Sequence, residues 1–417
     1  MQKNCFRKGF YSVKILVKWL VIGTMVGLIV GMVCSLFGHA LIFANNFRAQ
    51  NPLIVLGLPV AGLVIVFLYR FFKDADDKGT NMVITSIQSS TDVPFRMMPL
   101  IFVSTVLTHL CGGSAGREGA ALQIGGSIAN RLGKVMKLNE DDRHVIIMCG
   151  MSAGFSALFG TPMAAAVFSM EVVRVGVMHY AALVPCVTGA LIGHFVAQFF
   201  RMPPEVFPVT GMQALDPWGF IKVTAFAALV AGVSIVFCVI LHTAEHLYEK
   251  YFRNPYLRIA VAGCVVVLLS MVLGTDFYLG SGMGIIEHIF HEGHTEWYTF
   301  LLKIIFTALT LGAGFKGGEI VPSFCIGAAF GCAVAPLFGL PMSLVAACGM
   351  VGLFCGVTNS PLTSLLIAFE LFGFEGMPYF LVTIAVSYML SGYFGLYRAQ
   401  RIMYSKTEDH VVDTSAH

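Results

Sequence analysis

Gly112–Gly126, GGSAGREGAALQIGG, sets an arginine and a glutamate, Arg117 and Glu118, among glycines in a chain that is otherwise strongly apolar. Six glycines in fifteen residues make a poor membrane helix, because glycine loses the most backbone entropy on ordering and leaves its amides uncovered. Where such a turn feeds a helix N-terminus, unpaired N–H groups and the positive end of the helix dipole converge on one small volume that suits an anion. At membrane depth, irregular backbone of this kind persists only where it is buried in protein or lines a water-filled cavity. An ionisable residue placed there is a functional candidate by default.

Working outward, 57% of the 417 residues are hydrophobic and 12% charged, with a mean hydropathy of +0.80. A soluble domain carries about 25% charged residues, so this is an all-α polytopic membrane protein. The formal net charge of +3 is small. No basic patch points to nucleic acid. Eleven cysteines are scattered through apolar segments without a CxxC, and read as buried thiols. Lys3, Arg7, Lys8, Lys14 and Lys18 precede or begin an apolar run from Leu16 to Phe43 that is too long for a signal peptide, which predicts a retained, cytoplasmic N-terminus. The expected organisation is a cytoplasmic segment 1–15, a first membrane repeat 16–210, a second 211–396 and a short cytoplasmic tail 397–417, too short for a folded domain, with no regulatory module after the membrane part.

Spans of roughly 20 residues are drawn at about 16–43, 52–72, 97–111, 178–200, 218–247, 257–276, 298–313 and 376–395. Between them lie apolar segments expected to be too short or too broken to span, at 119–132, 145–158, 162–174, 319–338, 341–356 and 361–373. Interrupted segments in matching places of two halves point to a transporter. A repeat is present: Gly150-Met151, Pro162 and Glu171 recur as Gly349-Met350, Pro361 and Glu370 at a constant separation of 199 residues. Gly116 and Ile124-Gly125 recur as Gly318 and Ile326-Gly327 at 202. Spacing alone leaves open whether the halves are parallel or inverted; broken helices favour inversion by analogy with other transporters.

Glu118 reads as a carboxylate that occupies an anion's place, leaves it when protonated, and so couples proton to anion movement. The plain alternative is an acid stabilised by the helix dipole and paired with Arg117. A second glycine-rich stretch, Gly312–Ser323, carries Lys316 and Glu319 ahead of a helix opened by Pro322. Glu319 is the second buried-carboxylate candidate, or else a cap for that helix. Gly79-Thr80-Asn81-Met82-Val83 follows the charged loop KDADDK and opens a short amphipathic helix, where Thr80 or Asn81 has an ordinary use as N-cap; its partner in the second half is Gly282-Met283-Gly284. Glu171 and Glu370 are expected to bond backbone at the ends of their Pro-led helices. His288, His291 and His294, with Glu287 and Glu292, have a spacing that suits a metal, but Gly293 breaks the helix that would align them, which favours a polar loop. His242 and His246 beside Glu245 do not form HExxH. With no Ser/His/Asp set, P-loop or dinucleotide fingerprint, no enzyme, metal or cofactor is expected.

The GREG block around Glu118, the G-x-x-x-P block from Gly318 to Pro322, and Tyr397 in GLYRAQ resemble the CLC chloride channels and proton-coupled anion exchangers over nearly the whole chain. The resemblance implies two inverted halves of tilted, partly broken helices, one pathway per subunit and a homodimer in a bacterial-type cytoplasmic membrane. It also implies an anion site made by Thr80, Asn81, Met82, Ile320, Val321 and Tyr397. Gly79–Val83 replaces a Gly-Ser-Gly-Ile-Pro of chloride members, Gly318-Glu319-Ile320-Val321-Pro322 replaces their Gly-x-Phe-x-Pro, and this glutamate, THLCGGSAGREG and GFKGGE look like the fluoride-exporting branch. Val172 follows Glu171 where chloride exchangers keep an internal glutamate, leaving Glu319 as the candidate for proton passage. The implied activity is fluoride/proton antiport and fluoride resistance, with fluoride and protons as substrates. Hydrofluoric acid crosses membranes neutral and dissociates inside, and an exporter must replace fluoride's water with strong donors. The rivals are a chloride channel or chloride/proton exchanger and, from another class, a membrane enzyme or metal-dependent sensor built on His288–His294.

Overall fold

The structure is a computed structural model that describes residues 2–74, 78–89, 91–212 and 214–417, with side chains described from Ser12 onward. Lys3, Arg7 and Lys8 therefore have no described side chains, and Ala75–Asp77 of the charged loop lie outside the described residues.

Two successions of eight helices follow one another. The first comprises α1 (Gln2–Gln50), α2 (Leu58–Phe71), α3 (Thr80–Gln88), α4 (Met97–Leu110), α5 (Glu118–Val135), α6 (Glu140–Phe159), α7 (Pro162–Glu171) and α8 (Leu183–Phe199). The second comprises α9 (Pro217–Tyr251), α10 (Pro255–Leu273), α11 (Met283–Glu292), α12 (Thr299–Gly312), α13 (Ile320–Phe338), α14 (Met342–Thr358), α15 (Pro361–Phe372) and α16 (Met377–Leu390). Each helix matches the one eight places later. Packing repeats as well: α1 lies against α4, α6 and α8 as α9 lies against α12, α14 and α16. Glycine allows the tightest crossings. A Cβ on Gly125 would come within 2.7 Å of the Gly150 carbonyl carbon, and one on Gly327 within 2.7 Å of that of Gly349. The repeated Ile-Gly and Gly-Met pairs are thus the contact points of α5 with α6 and of α13 with α14.

The contacts between the halves reveal how they are related. Gly116 and Gly318 form an antiparallel bridge, with N–H to carbonyl distances of 2.6 and 2.8 Å. Glu171, at the C-terminus of α7, accepts from the Leu362 and Thr363 amides at 3.0 and 2.9 Å and from the Thr363 hydroxyl at 2.6 Å. Glu370 returns the same contact, accepting from the Met163 and Ala164 amides at 2.9 Å each. Helices α7 and α15 are therefore antiparallel, each capping the other's first turn. This is the geometry of inverted halves related by a two-fold axis across the helices. It also corrects the expectation for Glu171 and Glu370, whose carboxylates serve the opposite half and not the end of their own helix.

Among the described residues, six helical segments are long and apolar enough to cross a membrane: Ser12–Gln50, Pro52–Phe71, Tyr180–Phe199, Pro217–Tyr251, Pro255–Leu273 and Ile320–Phe338. The last corrects the reading of 319–338 as a non-spanning piece; α13 runs unbroken past Pro336, and Gly339 ends it. Conversely α4, α12 and α16, expected at 97–111, 298–313 and 376–395, have 14 residues each, about 21 Å at 1.5 Å per residue, short of the roughly 30 Å hydrocarbon core. The described cysteines apart from Cys264 are buried.

The tail is not a loose end. Arg401–Tyr404 (β2) pairs in parallel with Arg174–Val175 (β1) and antiparallel with Val411–Ser415 (β3). Gln400 joins it to the body, donating to the Val172 and Thr358 carbonyls at 2.9 and 2.7 Å.

Replacing Glu171 or Glu370 by alanine leaves helix-start amides unserved inside the protein. At about 1–3 kcal/mol per unsatisfied buried group, either variant should unfold at a lower temperature in detergent, Glu171→Ala more so because its carboxylate holds three donors.

Candidate functional site

The Gly116–Gly318 bridge brings the starts of α5 and α13 together. Glu118 is the first residue of α5 and is fully buried. Its carboxylate folds back to accept from the Arg117 amide at 3.1 Å and from Arg117 Nε at 3.3 Å. Arg117 also pairs with Glu205, from the linker between α8 and α9. The pairing expected from sequence therefore exists, but it is buried and shared with a third residue.

Glu319 is the residue before α13 and makes no side-chain cap, contrary to the capping alternative. Its Oε2 is buried without a hydrogen-bond partner. A Cβ on Gly119 would lie 3.5 Å from that oxygen and 3.4 Å from Thr80 Oγ1, so Glu319, Thr80 and the Gly119 backbone border one small volume. Gly79, with φ +60°, takes the N-cap position of α3 that was expected of Thr80 or Asn81, and Gly282, with φ +93°, does the same for α11. Thr80 Oγ1 accepts from Gln123 Nε2 at 3.3 Å. Asn81 Oδ1 accepts from the Ala399 amide at 3.0 Å, which ties α3 to the segment carrying Tyr397. Met82 differs from both: its side chain packs half-buried against the apolar core, and its amide is donated to the Gly79 carbonyl at 3.0 Å. Tyr397 is 1% exposed, its hydroxyl has no hydrogen-bond partner, and it shares a cavity wall with Glu319.

Two cavities approach this centre. The larger, about 780 Å³, has Thr80, Asn81, Gln123, Glu319 and Tyr397 in its wall. The smaller, about 330 Å³, is bordered by His109, Arg117, Glu205, His291 and Val321. Arg117 faces the smaller cavity and Gly119 adjoins Thr80 and Glu319 in the wall of the larger, so Glu118 sits in the chain between residues that approach the two. The second half repeats this arrangement, with Ile320 between Glu319 and Val321. Ile320 and Val321 have apolar side chains; what they can offer an anion is first-turn N–H groups.

Sequence reasoning missed Gln123 and Glu205. Gln123, with its Oε1 unpartnered, was detectable as the amide in the otherwise apolar AALQIGG. Glu205 had no such signal, being one acid in a linker far from Arg117 along the chain. The histidines are split by Gly293, which ends α11 with φ +66°. His291 reaches the smaller cavity and His294 falls beyond the helix. Among the described residues no group of three His, Cys, Asp or Glu side chains is arranged to hold a metal.

A fully buried carboxylate, Glu118, and a half-buried one, Glu319, whose Oε2 is enclosed, stand at abutting helix starts close to two cavities, an arrangement suited to a membrane protein that moves ions. Residues 60–392 match the family model described as voltage gated chloride channel, and the chain belongs to that family. It is 36% identical over 396 residues to a "Chloride/fluoride channel protein" of Pseudomonas syringae pv. tomato, covering 93% of this chain and 87% of the relative. Among solved structures, that of "a CLC-type fluoride/proton antiporter" superposes with a TM-score of 0.89 at 35% identity, over 92% of this chain and 98% of the other. That of "a slow cyanobacterial Cl-/H+ antiporter" superposes at 0.78 with 20% identity, over 89% and 94%, a likeness of fold.

Gly119→Ala tests the shared volume. Its methyl would sit 3.0 Å from Gly318 Cα and 3.5 Å from Glu319 Oε2. Ion flux in reconstituted vesicles should drop about 10- to 100-fold while the purified protein keeps its elution volume.

Proposed function

We propose that this chain exports fluoride from the cytoplasm in exchange for protons. The observation that carries the reading is the pair of carboxylates at the abutting starts of α5 and α13, Glu118 fully buried and Glu319 with an enclosed, unpartnered Oε2, together with the unpartnered Tyr397 hydroxyl, which shares a cavity wall with Glu319. Its similarity to a relative and a solved structure whose names include fluoride supports the choice of anion.

In this reading the Glu118 carboxylate holds a place that fluoride also takes. Protonation removes its charge and its attraction to Arg117, the side chain leaves, and an anion enters. Fluoride is held by first-turn amides of α5 and α13, by the Thr80 and Tyr397 hydroxyls and by the Asn81 and Gln123 amides, donors that replace its hydration shell. Glu319, on the wall of the larger cavity, passes protons or ions past a site where Val172 offers no carboxyl group.

The wall of the larger cavity also carries Arg70, Lys78, Arg258, Lys316 and Arg398, which supports placing it on the cytoplasmic side under the positive-inside tendency. The smaller cavity then opens outside. Segment 1–15 and tail 397–417 lie in the cytoplasm, repeats 16–210 and 211–396 span a bacterial-type cytoplasmic membrane, and two copies form a homodimer with one pathway each.

Proteoliposomes loaded with fluoride or chloride, with external pH recorded in the same run, test this directly. Fluoride efflux should exceed chloride efflux and be accompanied by proton uptake. A fluoride gradient should drive protons uphill, and Glu118→Gln should abolish that movement. Equal chloride and fluoride efflux would make the protein a chloride transporter, and uphill proton movement that survives in Glu118→Gln would remove the role given to that residue.

A further inference from the structure

The pairing of Arg117 with Glu205 is not used by the transport cycle just described, although it sits at the outer side of Glu118. We propose that Glu205 is a positioning residue that acts through Arg117, dividing the guanidinium charge between two carboxylates and so setting how readily Glu118 takes a proton from outside.

The Arg117 side chain is 15% exposed and that of Glu205 10%. Arg117 uses Nε toward Glu118 and Nη2 toward Glu205. The second oxygen of Glu205 is buried with no hydrogen-bond partner, so its position owes nothing to other donors. The backbone supplies that position. Pro203 and Pro204 stiffen the approach. Two residues on, the Phe207 amide donates to the Leu371 carbonyl at 3.1 Å, and its ring stacks on Phe290 at 5.1 Å between centroids. The linker between the halves is thereby anchored, and Glu205 is delivered to the wall of the smaller cavity.

The sign follows from Coulomb's law. With Glu205 charged, Arg117 is partly neutralised and favours the Glu118 carboxylate less. With Glu205 neutral, the whole guanidinium charge acts on Glu118, and more acid is needed to protonate it. The other titratable or charged groups near Glu118 and this cavity, among the described residues, are Arg48 from α1, His109 from α4, Glu287 and His291 from α11, Lys303 from α12, Glu319 before α13, and Tyr397. All of these are unchanged in the variants below, so their titration is common to every profile compared.

The inference rests on the antiport reading, and the experiment separates the two. Fluoride-driven proton uptake is measured in oriented proteoliposomes against external pH for the full chain and for Glu205→Gln, Glu205→Asp, Arg117→Gln and the Arg117→Gln/Glu205→Gln double variant. Glu205→Gln should lower the external pH of half-maximal uptake by about half a unit or more. Glu205→Asp, which keeps the charge, should stay within a small fraction of that shift. In the Arg117→Gln background, where only the direct repulsion between Glu205 and Glu118 is left, adding Glu205→Gln should shift the profile by much less. An unshifted Glu205→Gln profile, or the same shift with and without Arg117, overturns the proposal. Should Glu205→Gln fail to fold, Glu205→Ser carries the same comparison. If the unaltered protein takes up no protons with fluoride, the antiport reading itself fails.

Discussion

The antiparallel bridge between Gly116 and Gly318 sets two helix starts against each other, and much of the molecule follows from the electrostatics of that meeting. Each helix start presents unpaired amides and the positive end of a dipole. Two such ends facing one another at membrane depth are unfavourable unless negative charge lies between them. Glu118 and Glu319 supply it from the chain itself, one as the first residue of its helix and the other just before it. A site that suits an anion and carries its own carboxylates is the basis of the proposed coupling.

The symmetry that builds the centre is not kept in its chemistry. The backbone, the tight glycine crossings and the exchange of Glu171 and Glu370 between α7 and α15 repeat closely in the two halves. The charges do not. Glu118 has Ile320 as its counterpart, and Glu319 has Arg117. Lys303 of α12, fully buried, donates to the Tyr278 and Gly280 carbonyls at 3.1 and 2.7 Å, while the residue 202 positions before it is the apolar Ile101. Architecture is thus duplicated, and direction comes from differences between the copies. Two cavities of unequal size meet at one centre, with Arg117 and Val321 facing the smaller and Thr80 and Glu319 facing the larger.

Several parts of the site work through backbone. A methyl on Gly119 would press on the Gly318 backbone at 3.0 Å, and Asn81 spends its side-chain carbonyl on the Ala399 amide. That single bond couples the start of α3 to the segment that brings Tyr397 inward, so an element early in the chain positions a hydroxyl near its end. The small sheet of β1, β2 and β3, with Gln400 reaching the Val172 and Thr358 carbonyls, holds the same segment from its other side.

Membrane residence, the two halves and the two charged glycine-rich turns were legible in the sequence, because hydropathy, spacing and misplaced charge are properties of neighbours along a chain. Glu118 and Glu319 stood out as candidates for that reason, and Tyr397 was a candidate only through the family resemblance. Inversion was not legible in the spacing, since a repeat distance carries no information about the rotation that relates two copies; it was expected from broken helices and the family resemblance, and the antiparallel contact of α7 with α15 bears it out. The partners of Glu171 and Glu370, the separation of Met82 from Thr80 and Asn81, and the unbroken course of α13 were likewise settled by packing. Glu205 shows the limit most plainly. Nothing in its local sequence sets it apart, and it gains its place beside Arg117 because folding brings the linker between the halves against the start of α5, where a buried guanidinium requires a second negative partner.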